Sequence, residues 1–200
     1  MDYYIRINKG VNKMTNYAML DLETMGVCPS SIILSVGVVI FNDKYNTVDK
    51  KIWVLDKKEQ LQLKRTYNEG TLTFWKNQPK EAKEQFNTKE IYSIERFKKD
   101  FYDYIKKFNI DSVWSSAPVL DVGCLHTLYG DGDYLPWKYN QVRCLRTIRD
   151  YMKGFPKRDD TNIHHDCLDD CEYQILCLRQ SINDMLLYGY NEVMKVKNEK

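Results

Sequence analysis

Asp21 and Glu23, two positions apart in the run Asp21-Leu22-Glu23-Thr24, have the residue types and spacing for metal chemistry. On a strand, side chains alternate between faces, so both carboxylates point one way while Leu22 points the other. Two carboxylates held on one face repel and desolvate each other unless a cation lies between them. Hard cations such as Mg²⁺ or Mn²⁺ take oxygen ligands of this kind. Taken alone, the pair is also compatible with the acidic end of a solvated strand. A second cluster, His165-Asp166-Cys167-Leu168-Asp169-Asp170, holds one of only three histidines, the others being His126 and His164. A carboxylate in a first helical turn is favoured by the helix dipole without any metal. That does not account for the histidine beside it. If the whole cluster were helical, His165 and Asp169 would share a face, with Asp170 turned about 100° further. With His165 in a loop before the helix, Asp170 is free to face the site instead. Spacing alone leaves both open.

The elements that carry these residues follow from hydrophobic pattern. Residues 17–22 read as a short buried strand. The Ile- and Val-rich run 32–41 reads as a second strand and 48–55 as a third, with turn residues Asn42-Asp43-Lys44 between them. Three strands joined by short links predict an antiparallel meander. Residues 57–68 show no period and read as a loop. Thr71 is suited to cap a short helix carrying Leu72, Phe74 and Trp75, and Pro79 to open another. Ser93 caps an amphipathic helix marked by Phe97, Phe101, Tyr104, Ile105 and Phe108. Val113 and Trp114 mark a short buried strand, followed by a helix over 120–129 and a Gly-Asp loop at 129–133. Residues 140–153 read as a helix, 155–164 as irregular, and 168–187 as the longest helix, stopping near Gly189. Strands first and mixed elements later predict an α/β domain with a mixed sheet. Residues 1–16 read as an N-terminal extension, with Met14 an alternative start, 17–190 as one domain, and 191–200 as a loose charged tail.

Bulk properties bound the function without choosing it. The chain has 200 residues, 43% hydrophobic, enough for a full core. Its 30 basic and 28 acidic residues give a net charge of only +2, unlike a protein that coats nucleic acid. An enzyme gripping one strand end needs only a local basic patch. Arg143, Arg146, Arg149, Lys153, Lys157 and Arg158 form the densest basic run, as consistent with a solvated helix face as with phosphate contacts. No run has the length of a membrane span and no signal-peptide core opens the chain, which points to the cytoplasm and no membrane partner. The six cysteines then read as free thiols. No CxxC pair exists, and Cys177 would sit about 240° round a helix from Cys171, so a structural zinc is disfavoured.

Asp-x-Glu-Thr on a first strand, a mid-chain Asp, and His-x-x-x-x-Asp before a C-terminal helix together resemble the DEDDh exonucleases. So do Thr71 to Ala82, Val113 to Ala117, and Pro136 to Tyr139 leading to Arg143 to Thr147. These pieces are similar to segments of phage exodeoxyribonuclease A and related small exonucleases, and their shared order covers most of the chain. The resemblance implies a ribonuclease H-like fold: a mixed central sheet, its first three strands antiparallel, flanked by helices. It selects Asp121 as the middle acid and Asp170 over Asp169. It implies two divalent ions, Mg²⁺ or Mn²⁺, held by Asp21, Glu23, Asp121 and Asp170, with His165 as general base. The implied activity is 3'-to-5' release of nucleoside 5'-monophosphates from the 3' end of single-stranded nucleic acid, DNA placed slightly ahead of RNA. Thr24, Met25, Gly26, Trp75, Arg143 and Arg146 are the candidate substrate contacts. Some relatives dimerise to share substrate, which leaves a homodimer open here.

Two rivals remain on sequence grounds. One is a catalytically inactive nucleic-acid-binding module of the same fold. The other is an HD-type phosphohydrolase, read from the His165-Asp166 doublet with His126 and Asp184. That scaffold is all-helical, which the Val/Ile-rich strands oppose.

Overall fold

A computed structural model describes residues 14–130, 134–151, 154–158 and 163–198, with side chains as far as residue 189. Most of the expected N-terminal extension, part of the Gly-Asp loop, and Lys153 lie outside the described residues.

The predicted meander is present as β1 (Asn16–Thr24), β2 (Ile33–Asn42) and β3 (Thr47–Leu55), paired antiparallel in sequence order. β5 (Ser112–Ser115) adds parallel to β1, and β6 (Val142–Cys144) parallel to β5. β4 (Ile91–Tyr92) joins β3 at the far edge, giving the order β4-β3-β2-β1-β5-β6. β2 is buried along its whole length, the reason its sequence is a continuous apolar run rather than an alternation. One face of the sheet places Leu20, Val36 and Trp53 against Phe97 and Phe101 of α4 (Ile94–Phe108) and Leu125 of α5 (Pro118–Tyr129). The other places Met19, Val39 and Phe41 against Leu145, Cys171, Ile175 and Leu178. Leu145 opens α6 (Leu145–Arg149), and the last three belong to α7 (Cys167–Asn198).

Ser93 caps α4 as expected, its hydroxyl accepting from the Arg96 N–H. Four expectations are corrected. Residues 57–68 are not all loop: α1 (Lys57–Gln62) is capped by Asp56, and its six residues are too few to show a period. α2 (Glu69–Asn77) is capped by Asn68, not Thr71; the Asn68 side chain accepts from the Thr71 N–H, so the helix begins one turn earlier. After it, α3 (Lys80–Glu84) follows Pro79 as read. The described part of 140–153 is not one helix: a 3-10 turn (Tyr139–Gln141) and β6 precede the short α6, and parallel pairing with β5 overrides local propensity there. Finally, α7 does not stop near Gly189 but runs to Asn198, so the segment read as a loose tail is helical to that point. A glycine inside a helix costs only about 1 kcal/mol relative to alanine.

Gly37 decides how close α7 comes to the sheet. A Cβ there would sit 2.4 Å from the Cys167 Cβ and 2.9 Å from its carbonyl carbon. The first turn of α7 therefore lies directly on β2. Gly37→Ala is expected to destabilise the protein by about 1–3 kcal/mol through overpacking. At roughly 2–4 °C per kcal/mol for a chain of this size, the loss is readable as a lower melting midpoint. An unchanged midpoint would mean that this contact is not tight.

Candidate active site

The site forms where α7 crosses the C-terminal half of β1. Asp21 pairs across the sheet with Gly37, and Glu23 with Ser35. Because Gly37 has no side chain, α7 settles over these two pairs. A register shift between Glu23 and Thr24 ends the regular ladder just past the carboxylates, a common place for a bulge beside a functional site. α7 is capped by Asp166, whose carboxylate accepts from the N–H groups of Leu168 (3.0 Å) and Asp169 (3.2 Å). Asp170 then lies one turn from the cap, and Gln174, four residues on, shares its face. Gln174 Nε2 donates to Asp21 Oδ1 at 2.7 Å.

His165 is not helical. It sits two residues before α7 with φ of +64°, so the two readings of the cluster are separated by the backbone itself. Its N–H donates to Asp170 Oδ2 at 3.1 Å. Its ring meets Phe74 edge-on, with centroids 4.9 Å apart. Asp169 turns away, its Oδ2 accepting from the Ile163 N–H at 2.6 Å. Asp121 stands in the first turn of α5, buried, and accepts a short hydrogen bond from the Ser115 hydroxyl at the end of β5.

Among the described residues, two sets have ligand atoms that all lie within 4.8 Å of one another: Asp21, Glu23 and Cys167, and Glu23, His165 and Asp170. Glu23 belongs to both. Asp121 belongs to neither set, yet its charge raises the pKa of both Asp21 and Glu23. Burial is the larger cause for each: it pushes Asp21 well above the usual carboxylate range and, with the Asp21 and Asp170 charges, Glu23 up to about 10. Burial likewise pushes Asp121 up to about 6, against the Ser115 hydrogen bond, which lowers it. Burial also holds the Cys167 thiol well up, so it stays protonated and bonds to the Ser35 hydroxyl at 3.0 Å. Oxygen donors that cannot all be ionised together, beside the buried Oε1 of Gln174, which has no hydrogen-bond partner among the described residues, fit hard divalent cations.

A pH dependence follows. Glu23 in the folded protein keeps a proton that the unfolded chain loses above its ordinary value of 4.5. Stability is therefore highest at the acid end and declines as pH rises from that value towards about 10. Asp21 and Asp121 act in the same direction. In chelator, the melting midpoint is expected to fall between about pH 5 and pH 9, and Mg²⁺ or Mn²⁺ to restore it most at the upper end. A flat profile in chelator would show that the carboxylates do not share one environment.

The expected substrate contacts divide. Thr24 Oγ1 donates to the Gly26 carbonyl, and Gly26 is fixed because a Cβ would lie 2.5 Å from the Ser31 hydroxyl. Met25 borders a hollow of about 400 Å³ with Leu72, Trp75 and Phe86. Trp75 is buried and its Nε1 donates to the Thr24 carbonyl, so it braces the strand end; Phe74 is the exposed aromatic beside His165. Arg146 lies near enough to Asp121 to lower its pKa. Arg143 instead bonds to the Asn140 and Val142 carbonyls and lines a larger hollow of about 680 Å³ containing none of the acidic or histidine residues of the site. The basic run is not one helix face. Arg149 stacks on Phe155, while Arg158 leaves the run to pair with Asp170 at 2.6 Å. Sequence reasoning missed Gln174 and the Arg158–Asp170 pair. Helical spacing from Asp170 points to the first; nothing in a charge run points to the second.

The six-stranded sheet is incompatible with the all-helical HD scaffold. Among the described residues no helix is long and apolar enough to cross a membrane. The E. coli exonuclease I–single-stranded DNA complex with zinc superposes with a TM-score of 0.64 at 11% identity, over 89% of this chain and 43% of that one. E. coli exonuclease I with a dT13 oligonucleotide gives 0.63 at 12% identity, over 88% and 43%. The chain thus spans under half the length of these structures and shares their ribonuclease H-like fold. No curated protein matches it. Residues 16–182 match the family described as the 3'-5' exoribonuclease Rv2179c-like domain. That match takes in both halves of the acidic site and most of the described chain, and the chain belongs to this family of 3'-5' exonuclease hydrolases.

Proposed function

We propose that the protein removes nucleoside 5'-monophosphates from the 3' end of single-stranded nucleic acid, with Asp21, Glu23, Asp121 and Asp170 holding two divalent cations. The observation that carries this reading is the convergence of those carboxylates, two of them with strongly raised pKa values, beside a histidine held outside the helix. When bound, a pair of Mg²⁺ or Mn²⁺ ions neutralises the scissile phosphate and makes the attacking water more acidic. His165 takes the proton from that water. Burial holds its pKa below the ordinary 6.5, so the ring is neutral and ready to accept at neutral pH. Glu23 helps orient the water. Phe74 offers a face for the terminal base, the turn at Met25 and Gly26 lines its entry, and Arg146 meets a phosphate.

The assay is digestion of 3'-labelled single strands with Mg²⁺ or Mn²⁺, in matched RNA and DNA arms. The exoribonuclease family weighs towards RNA, while the similar E. coli exonuclease I structures hold single-stranded DNA. Binding with no mononucleotide release in either arm would mark an inactive binder and end this reading. Asp170→Asn is expected to lower activity by about a hundredfold or more, and Asp169→Asn by only a few fold, since Asp169 serves the Ile163 backbone. A loss confined to Asp169→Asn refutes the ligand assignment.

A further inference from the structure

We infer that Gln85, at the C-terminal end of α3, is a positioning residue for His165. This rests on the reading of His165 as the general base.

The Gln85 carboxamide holds both peptide groups that flank Asp166. Its Nε2 donates a short hydrogen bond to the His165 carbonyl and a second bond, 2.9 Å, to the Ala82 carbonyl. Its Oε1 accepts from the Cys167 N–H at 3.4 Å and from the Ser35 hydroxyl at 3.0 Å. Donors meet acceptors in all four contacts only with the amide this way round. A flipped amide would set Nε2 against an N–H and Oε1 against two carbonyls. The orientation is therefore fixed by the network.

The clamp acts where the backbone needs it. His165 has φ of +64°, a left-handed conformation that a side-chain-bearing residue rarely adopts. Such a conformation persists only where the surroundings over-determine it. On one side the His165 N–H is held by Asp170; on the other its carbonyl is held by Gln85. Through Ser35, which pairs with Glu23 across the sheet, the same amide ties the turn to the strand beside the carboxylates. Gln85 itself is neither charged nor a member of either ligand set. Its effect passes through the direction in which the imidazole points.

A double-mutant cycle on the full chain tests this, with 3'-labelled single strands and Mg²⁺ or Mn²⁺. Gln85→Met keeps the shape and deletes the hydrogen bonds. Alone it is expected to lower kcat by about ten- to a hundredfold, the scale of a misplaced catalytic group, with KM changed by less than about threefold. In a His165→Ala background the same substitution is expected to add less than about a twofold loss. If Gln85→Met retains full activity, or multiplies the loss equally in both backgrounds, Gln85 does not act through His165 and the inference falls. If Gln85→Met does not fold, Gln85→Glu takes its place in the cycle, keeping the acceptor for Cys167 and Ser35 while deleting both donors. A His165→Ala protein as active as wild type removes the base assignment itself, and that variant alone reveals it.

Discussion

Asp21→Ala is expected to abolish metal-dependent release of mononucleotides, lowering kcat by at least about a thousandfold, or roughly 4 kcal/mol of barrier. Asp21 is the carboxylate onto which Asp121, Asp170 and Gln174 all converge. Removing it takes away one of the proposed oxygen ligands and also one of the charges that raise Glu23. The fold should survive. Relief of like-charge crowding opposes the loss of the Gln174 hydrogen bond, so the midpoint in chelator should move by no more than roughly 2–4 °C. Added Mg²⁺ or Mn²⁺ should stabilise the variant far less than the wild type. Cleavage and melting curves of the two proteins, side by side, decide the matter. Activity that survives the substitution would falsify the metal site at its first residue.

His165→Ala carries the second large effect: kcat lower by about a hundred- to ten-thousandfold, the range for loss of a general base. KM should change little, because the ring contacts Phe74 and Trp75 rather than a charged substrate pocket. Burial is the main reason its pKa lies below 6.5. The acid limb of kcat/KM in the wild type should therefore fall below pH 6.5. Bound cations would push it further the same way. The limb should be absent from the alanine variant. A wild-type limb well above that value would show that another group accepts the proton.

The sequence made the central meander legible because its pattern is strong: β2 is apolar throughout, and Asp43 and Lys44 lie in the turn that follows Asn42. The α4 stripe was equally plain. What was lost was short or decided from outside. Six residues of α1 cannot show a helical period, and the two residues of β4 and three of β6 owe their strand state to the neighbours they pair with. Gly70 lies inside α2 and Gly189 inside α7, both against the usual reading of glycine as a boundary. In the site, strand alternation placed Asp21 with Glu23. That Asp170, not Asp169, lies beside Glu23 and His165 was not legible from spacing, because it depends on a left-handed residue at His165. Gln85 and Gln174 were invisible for a chemical reason. An amide carries no charge to stand out in composition, and its partners lie up to 153 residues away.

That separation bears on the order of assembly. β1, β2 and β3 are joined by short turns, so their pairing is local and can be made early, with Asp21 and Glu23 still hydrated. The carboxylates are crowded and dried only when α7 lands on Gly37, bringing Asp170 and Gln174 over them. Charge repulsion therefore opposes the last closing step rather than nucleation. If those contacts form after the folding transition state, a cation that relieves the repulsion keeps the finished protein from opening more than it hastens folding.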